Sequence, residues 1–223
     1  MDKLAIKILI AKRIASELPK MSLVNLGLGL PTMVANYVKP EQQIYLHGEN
    51  GLIGIGSEYQ EGERFDPDII SSSGFPTKVV NGASFFDSSI SFGIIRGGHV
   101  DVTVLGTMEV DEKGNIANYK VSGKMVAGMG GAMDLCVGAK KVIVATFHTN
   151  KGKPKILKQC TLPLTAKNAV STIVTEMAVI DVIPEGLLLR DYNRNYTISD
   201  IIQCTEADII LPDSFENKYE INC

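Results

Sequence analysis

Apolar positions along the 223-residue chain repeat with two periods. Residues 4–18 carry apolar side chains at 4, 8, 11, 14, 15 and 18, a helical spacing that Pro19 stops. "LVNLGLGLP" (23–31) reads as a short buried strand running into a glycine-rich turn, with Pro31 placed to open a helix through "TMVANYV". "QIYLH" (43–47) is the next strand. Residues 57–76 are polar and turn-rich, a surface excursion. "DSSISFGIIRGG" (87–98) has a capping acid or serine at its start and glycines at its end, as a helix does. "DVTVLG" (101–106) is a strand, and "DEKGN" (111–115) is turn chemistry between "MEV" and "IANY". "GKMVAGMGGAMD" (123–134) is a glycine-rich loop leading into a helix. "KKVIVATF" is a strand of the continuous apolar type. "VSTIVTEMAVIDVI" and "GLLLRD" read as paired strands, "TISDIIQCT" as a short capped helix and "ADIIL" (207–211) as a last strand.

Helices and buried strands alternate, which predicts an α/β fold: a mainly parallel central sheet flanked by helices, with antiparallel strands towards the C-terminus. No repeat or Pro/Gly/Ser linker divides the chain, so residues 1–223 are expected to form one domain, frayed over the last ten residues.

Composition narrows the function. Hydrophobic residues make up 45% and charged residues 21%, and the formal net charge is −3, so no basic field argues for nucleic acid or an anionic membrane. No apolar run reaches the roughly 18 residues of a spanning helix, and the Lys7, Lys12 and Arg13 interruptions disfavour a signal peptide. The four cysteines, Cys136, Cys160, Cys204 and Cys223, lack metal-type spacing and read as free thiols of a cytoplasmic protein.

Three glycine-rich segments follow or join strand-like runs: "NLGLGLP", "GENGLIGIG" and "GMGGAMD". Each is a tight turn or a place where backbone approaches a ligand. "GLGLP" lacks the third glycine and spaced acid of a dinucleotide site, and no G-K-[ST] supplies a phosphate loop. "GMGG" could direct backbone N–H groups at an oxyanion. His47, His99 and His148 have no ligand partner at helical spacing, so a metal site is not expected, and no G-x-S-x-G elbow exists. Glu49 remains: one carboxylate in "GENG", between two apolar runs. Such an acid is either a structural carboxylate or a nucleophile held on a constrained turn.

"LHGENGLIGIG" resembles the signature of class I coenzyme A transferases. "VNLGLGLPTMVANYV", "IRGGHVDVTVLG", "DEKGNIANY", "GKMVAGMGGAMDL", "AKKVIVATFHTNKG", "KILKQCTLPLT" and "IVTEMAVIDV" resemble further blocks of that family's B (β) subunit, in order, from about residue 7 to 211. The likeness extends to small subunits acting on acetoacetate, butyrate or acetate and to the C-terminal half of succinyl-CoA:3-oxoacid CoA-transferase. It implies that Glu49 is the nucleophile. Glu49 would attack an acyl-CoA to give a mixed anhydride, then carry CoA as a glutamyl thioester before an acceptor acid reverses the steps. No metal, ATP or tightly bound cofactor is then required, and the CoA thioester is a substrate. The resemblance further implies contacts to CoA or substrate, or oxyanion donation, from Asn25, Gly27, Gly29, Asn50, Asn118, Gly130 and Gly131. It also implies a separate A (α) chain, in a heterodimer or heterotetramer.

Five positions depart from the family pattern. Gly48 stands where serine is usual, which is expected to open space beside Glu49 and remove a hydroxyl. "SSG" (72–74) replaces "NAG", Phe75 replaces a lysine, and Tyr119 replaces tryptophan. The cations near the motifs are Lys124 and Arg96, neither placed for a dicarboxylate, so acetoacetate, butyrate or acetate is expected over succinate. The alternatives are the B (β) chain of a succinyl-CoA:3-oxoacid CoA-transferase, a sugar-phosphate isomerase-like enzyme, which needs a phosphate cradle, and a non-catalytic CoA-binding protein.

Overall fold

A computed structural model of the chain describes residues 2–215 apart from 58, 60, 61, 73, 121, 122 and 124–127. Ser73, Lys124, Cys223 and part of the 123–134 loop therefore lie outside the described residues. Helix α1 (Lys3–Glu17) forms where the spacing predicted and buries Ala11, Ile14 and Ala15 of that spacing, but it also buries Ile10, which the spacing left out, and exposes Leu4. Strand β1 (Leu23–Leu26) follows. The segment opened by Pro31 is a 3-10 stretch (Leu30–Tyr37) rather than an α-helix, and a second 3-10 turn covers Pro40–Gln42. Next come β2 (Tyr45–Gly48), β3 (Leu52–Ile55), β4 (Val79–Phe85) and α2 (Ser88–Arg96). Asp87 caps α2 by accepting the Ile90 N–H at 3.0 Å. Strands β5 (Val102–Gly106), β6 (Glu109–Asp111) and β7 (Ile116–Ala117) precede α3 (Ala132–Gly138).

The remainder is β8 (Lys141–Ala145), the short strands β9 (Thr149–Asn150), β10 (Lys153–Pro154) and β11 (Ile156–Leu157), β12 (Thr172–Val174), β13 (Ala178–Ile183), β14 (Gly186–Tyr192), α4 (Ile198–Gln203) and β15 (Ile209–Ile210). Thr197 and Asp200 cap α4 reciprocally.

Ten strands form one sheet in the order β15-β14-β13-β12-β8-β5-β1-β2-β3-β4. The middle, β12-β8-β5-β1-β2, is parallel. Antiparallel pairs join β12 to β13 and β13 to β14 on the C-terminal side, as expected. They also join β2 to β3 and β3 to β4 at the opposite edge, which the apolar pattern did not predict.

Alternate residues of the central strands enter two separate cores. Leu105, Val142, Val144 and Ile173 pack with Ile95 of α2 and Leu135 of α3. Val102, Val104, Ile143, Ala145 and Val174 pack with Ile10 and Ile14 of α1. Both faces are covered, which is why these strands read as unbroken apolar runs. Arg13 of α1 is buried and paired with Asp191 at 2.6 Å and Glu17 at 2.9 Å; Arg190 meets Glu17 and Asp181, each at 2.7 Å. Opposite charges thus join α1 to β13 and β14. Among the described residues, no helix is long and apolar enough to cross a membrane.

Candidate active site

β1 leads to β2 on one side, while β5 lies against its other side, so the chain changes direction in the sheet beside β1. In open α/β sheets, ligand clefts form at such points, outside the carboxyl ends of the strands. A cavity of about 420 Å³ lies there. Leu26 and Gly27 line it from the end of β1, Gly106 and Thr107 from the end of β5, Glu49 from the end of β2, and residues 128–131 from the loop before α3. Glu49 is the only charged side chain among the described residues that line it.

Glu49 sits at a corner of the turn Gly48–Gly51, closed by the Gly51 N–H to the Gly48 carbonyl at 3.0 Å. The turn is held from three further directions. The Phe86 N–H donates to the Gly51 carbonyl at 2.9 Å, so close that a Cβ at Gly51 would run into the Phe86 carbonyl. Asn50 donates its side-chain amide to the Ile70 carbonyl at 2.9 Å. Asn25, opposite His47 in the parallel register, donates to the His47 carbonyl at 3.1 Å and faces its Nδ1 at 3.3 Å.

Because Asn25 Nδ2 is a donor, His47 Nδ1 accepts, and Nε2–H donates to Ser91 Oγ of α2 at 2.9 Å. Burial depresses the His47 pKa to about 4, so the ring is neutral at pH 7 and ties β1, β2 and α2 together. The histidine is a brace between the strands and α2.

The Glu49 carboxylate reaches the loop before α3, where the Gly131 N–H donates to it. A Cβ at Gly131 would collide with this carboxylate, its Cδ being only 2.8 Å away. Desolvation raises the Glu49 pKa above the ordinary 4.5 and nearby Asp134 adds to the rise, while the Gly131 hydrogen bond opposes it. Asp134 is itself paired with Arg96 of α2 at 2.7 Å, so that cation is engaged at the α2–α3 contact.

The sequence-derived residues separate into two sets. Asn25, Gly27, Glu49, Asn118, Gly130 and Gly131 converge on the cavity. Gly27 follows β1 where the chain crosses β5, its N–H on the Val104 carbonyl at 2.8 Å. Asn118 donates to the Gly106 carbonyl at 3.2 Å and accepts from Thr165 Oγ1 at 2.6 Å, fixing one wall. Gly29 is exposed at the start of the first 3-10 stretch, and Asn50, next to Glu49 in the turn, is exposed; neither lines the cavity. Sequence reasoning did not pick out Thr107, Met108, Met129 or Leu105 as lining residues, nor Ser91 and Phe86 as supports.

The space expected beside Gly48 is only partly open: Gly48 lines a small hollow, but a side chain there would meet two neighbouring side chains. A Cβ there would lie 2.8 Å from Asn50 Oδ1 and 3.1 Å from Ile55 Cδ1, because the hairpin folds both side chains over it. Cys136 and Cys160 have pKa values pushed up to about 12 by burial and are inert as thiols at pH 7. Among the described residues, no group of three or more His, Cys, Asp or Glu could hold a metal ion.

The family model for coenzyme A transferase matches residues 7–202. The chain belongs to the coenzyme A transferase family. It is 48% identical over 216 residues to the beta subunit of the acetate CoA-transferase of Haemophilus influenzae, covering 94% of each chain. It is 46% identical over 200 residues to the B subunit of the succinyl-CoA:3-ketoacid coenzyme A transferase of Helicobacter pylori, covering 89% of this chain and 96% of that one. Among solved structures, the acyl-CoA transferase YdiF apoenzyme of Escherichia coli O157:H7 shares the fold, with a TM-score of 0.78 at 22% identity. All of this chain is covered, but only 45% of the YdiF chain.

Proposed function

We propose that this chain is the β subunit of an enzyme that moves CoA between a short-chain acyl-CoA and a free carboxylate, with Glu49 as nucleophile. One observation carries the reading: a single carboxylate, on a turn held from several sides, meets a backbone N–H inside a cavity whose other described lining residues are uncharged.

In the proposed sequence, a Glu49 oxygen attacks the acyl carbon of the thioester and the CoA thiolate leaves, giving a mixed anhydride. The thiolate then attacks the Glu49 carbonyl and expels the first carboxylate, leaving a glutamyl-CoA thioester. An acceptor carboxylate attacks that thioester and displaces CoA. The freed thiolate takes the new acyl group and regenerates Glu49. Covalent catalysis of this kind divides one exchange into easier steps. When the Glu49 carbonyl is attacked, the Gly131 N–H that already faces its oxygen is available to the developing oxyanion. Asn25 and Asn118 support the surrounding strand ends, and Gly27 and Gly130 leave room for backbone contact with CoA. Gly29 has no role in this scheme, and Asn50 acts by holding the turn through the Ile70 carbonyl. CoA is a substrate, and no tightly bound cofactor is needed.

A separate α chain completes the enzyme in this reading. The relatives' names, each that of one subunit of a transferase, support it, as does the partial coverage of YdiF. Phe65, Phe75, Val80 and Phe85 are exposed on and around β4, the last strand of the sheet, an apolar surface suited to a partner. The remaining inferences are one domain, a cytoplasmic location and preferred acids among acetate, butyrate and acetoacetate. An isomerase reading lacks support, since no lysine or arginine lines the cavity among the described residues. The test is transfer from acetyl-CoA to butyrate by the chain co-purified with its α chain. Activity in the wild type and none in Glu49→Gln is expected; equal activity in both would remove Glu49 from the mechanism.

A further inference from the structure

Strands β5, β8 and β12 end level with one another, Gly106 opposite Ala145 and Ala145 opposite Val174. Just beyond these ends, Thr107, Thr146 and Glu176 gather around one side chain, that of Lys155 between β10 and β11. Its Nζ donates to the Thr107 carbonyl at 2.6 Å and to Thr146 Oγ1. Its backbone is held too. The Lys155 N–H donates to the His148 carbonyl at 3.2 Å, and the Lys155 carbonyl accepts from the Val110 N–H at 3.0 Å. Glu176 is 8% exposed and attracts the ammonium, while one of its oxygens accepts the His148 N–H at 2.9 Å. Burial lowers the Lys155 pKa to about 8 and the charge of Glu176 opposes the fall, so the side chain is mostly ammonium at pH 7.

Thr107 and Met108 line the cavity that holds Glu49, and Lys155 does not. The cation stands behind the wall and reaches the site through a peptide. Asn118 holds the Gly106 carbonyl and Lys155 the next one, while the Met108 N–H of that second peptide donates to the Ala117 carbonyl at 3.0 Å. The Thr107 hydroxyl is engaged with the carbonyls of Glu109 and Ala117, at 2.6 and 3.0 Å. Without Lys155, the Thr107 carbonyl would face only the Thr146 hydroxyl, 3.5 Å away. We propose that Lys155 is a positioning residue, which fixes the Thr107–Met108 peptide as the wall that acyl-CoA rests against. The proposal rests on the CoA-transfer reading. A charge-assisted hydrogen bond is about twice as strong as a neutral one, which is what an ammonium adds at this carbonyl, and Glu176 is its counter-charge.

The test compares Lys155→Met, Glu176→Gln and the double variant with wild type, each as the complex with its α chain, for Tm and for steady-state transfer from acetyl-CoA to butyrate. Lys155→Met leaves Glu176 buried without its cation, and breaking a buried pair is strongly destabilising, so Tm should fall. The double variant removes both charges and keeps an acceptor for the His148 N–H, so Tm should recover. The hold on Thr107 stays absent, so KM for acetyl-CoA should remain raised about tenfold, the scale of one charged hydrogen bond, with a smaller change in kcat. Glu176→Gln alone keeps that hold and should show the wild-type KM. Loss of folded enzyme would instead lower kcat and leave KM unchanged. A wild-type KM in the double variant, or the same KM in Lys155→Met and Glu176→Gln, would overturn the proposal. If neither protein carrying Lys155→Met folds, Lys155→Arg decides: it keeps a charge beside Glu176 but moves the donors, so it should fold with a raised KM, and a wild-type KM would overturn the proposal. Mass analysis of the Glu49 peptide separates the two readings. If CoA labels Glu49 in the wild type while KM stays fixed across the variants, the positioning role alone fails; if the wild type neither transfers CoA nor is labelled, the transfer reading fails and the positioning role with it.

Discussion

At the residue scale, the environment of Glu49 sets charge against stability. Its pKa is raised, so the folded protein holds the Glu49 proton more tightly than the unfolded chain does. That contribution to stability is present below the unfolded value of 4.5 and is lost as pH rises through the folded pKa. At pH 7 the ionised carboxylate is a cost to the fold. Glu49→Gln keeps an acceptor for the Gly131 N–H and removes the charge, so its Tm at pH 7 should equal or exceed that of the wild type while transfer is lost. A lower Tm would show that the charge stabilises the turn. Gly131 gives a complementary expectation. Its φ is −76°, ordinary for any residue, and the obstacle to a side chain is Glu49 itself. Gly131→Ala should fold normally yet lose about 10²–10³ in kcat, the scale of a lost oxyanion donor. Calorimetry beside steady-state kinetics checks both halves; a large stability loss with little kinetic effect would make the glycine structural only.

At the scale of elements, the hairpin β2–β3 is a perch tied to its neighbours by the Asn25–His47–Ser91 chain. Ser91→Ala removes the acceptor for His47 Nε2–H in a fully buried place and should cost about 1–3 kcal/mol. Urea denaturation measures that cost, and unchanged stability would contradict the brace. Much of this level was legible. The apolar spacing of residues 4–18, the cap at Asp87 and the turn at 111–115 are local signals, and the corresponding elements are present. Strand β4 was not legible: "VVNGASF" is largely exposed, without the alternation that marks a half-buried strand. The 3-10 form of Leu30–Tyr37 was missed because Pro31 signals a helix start without fixing its pitch. Glu49 and the glycine loop stood out as motifs. Their support did not: Asn25 was picked out only as a CoA or substrate contact, and it meets His47 and Ser91 only through parallel register and helix packing, which no short stretch of sequence encodes.

At the scale of the molecule, two buried histidines couple the fold to pH. His47 and His148 both have pKa values near 4, pushed down from 6.5 chiefly by burial. His148 is enclosed by the hydroxyls of Thr175 and Thr205, each 2.9 Å from a ring nitrogen. As pH falls from about 6.5 towards 4, the unfolded chain takes up these protons first, so stability present above that window is lost within it. Glu49 and Glu176, whose pKa values are raised, oppose the trend. His148→Gln should be less stable at pH 7 and show a flatter dependence of unfolding free energy between pH 6.5 and 4; an unchanged slope would mean that His148 does not drive the acid response. The central claim concerns the whole assembly, because the cavity holds one charged side chain among its described residues and the proposed enzyme needs a second chain. The most direct measurement is the mass of the Glu49 peptide after the complex of this chain with its α chain is incubated with acyl-CoA and no acceptor. The account predicts a gain equal to CoA less one water on that peptide, reversed by adding a carboxylate acceptor and absent in Glu49→Gln. Transfer activity without any adduct at Glu49, or with the adduct on another residue, would contradict it.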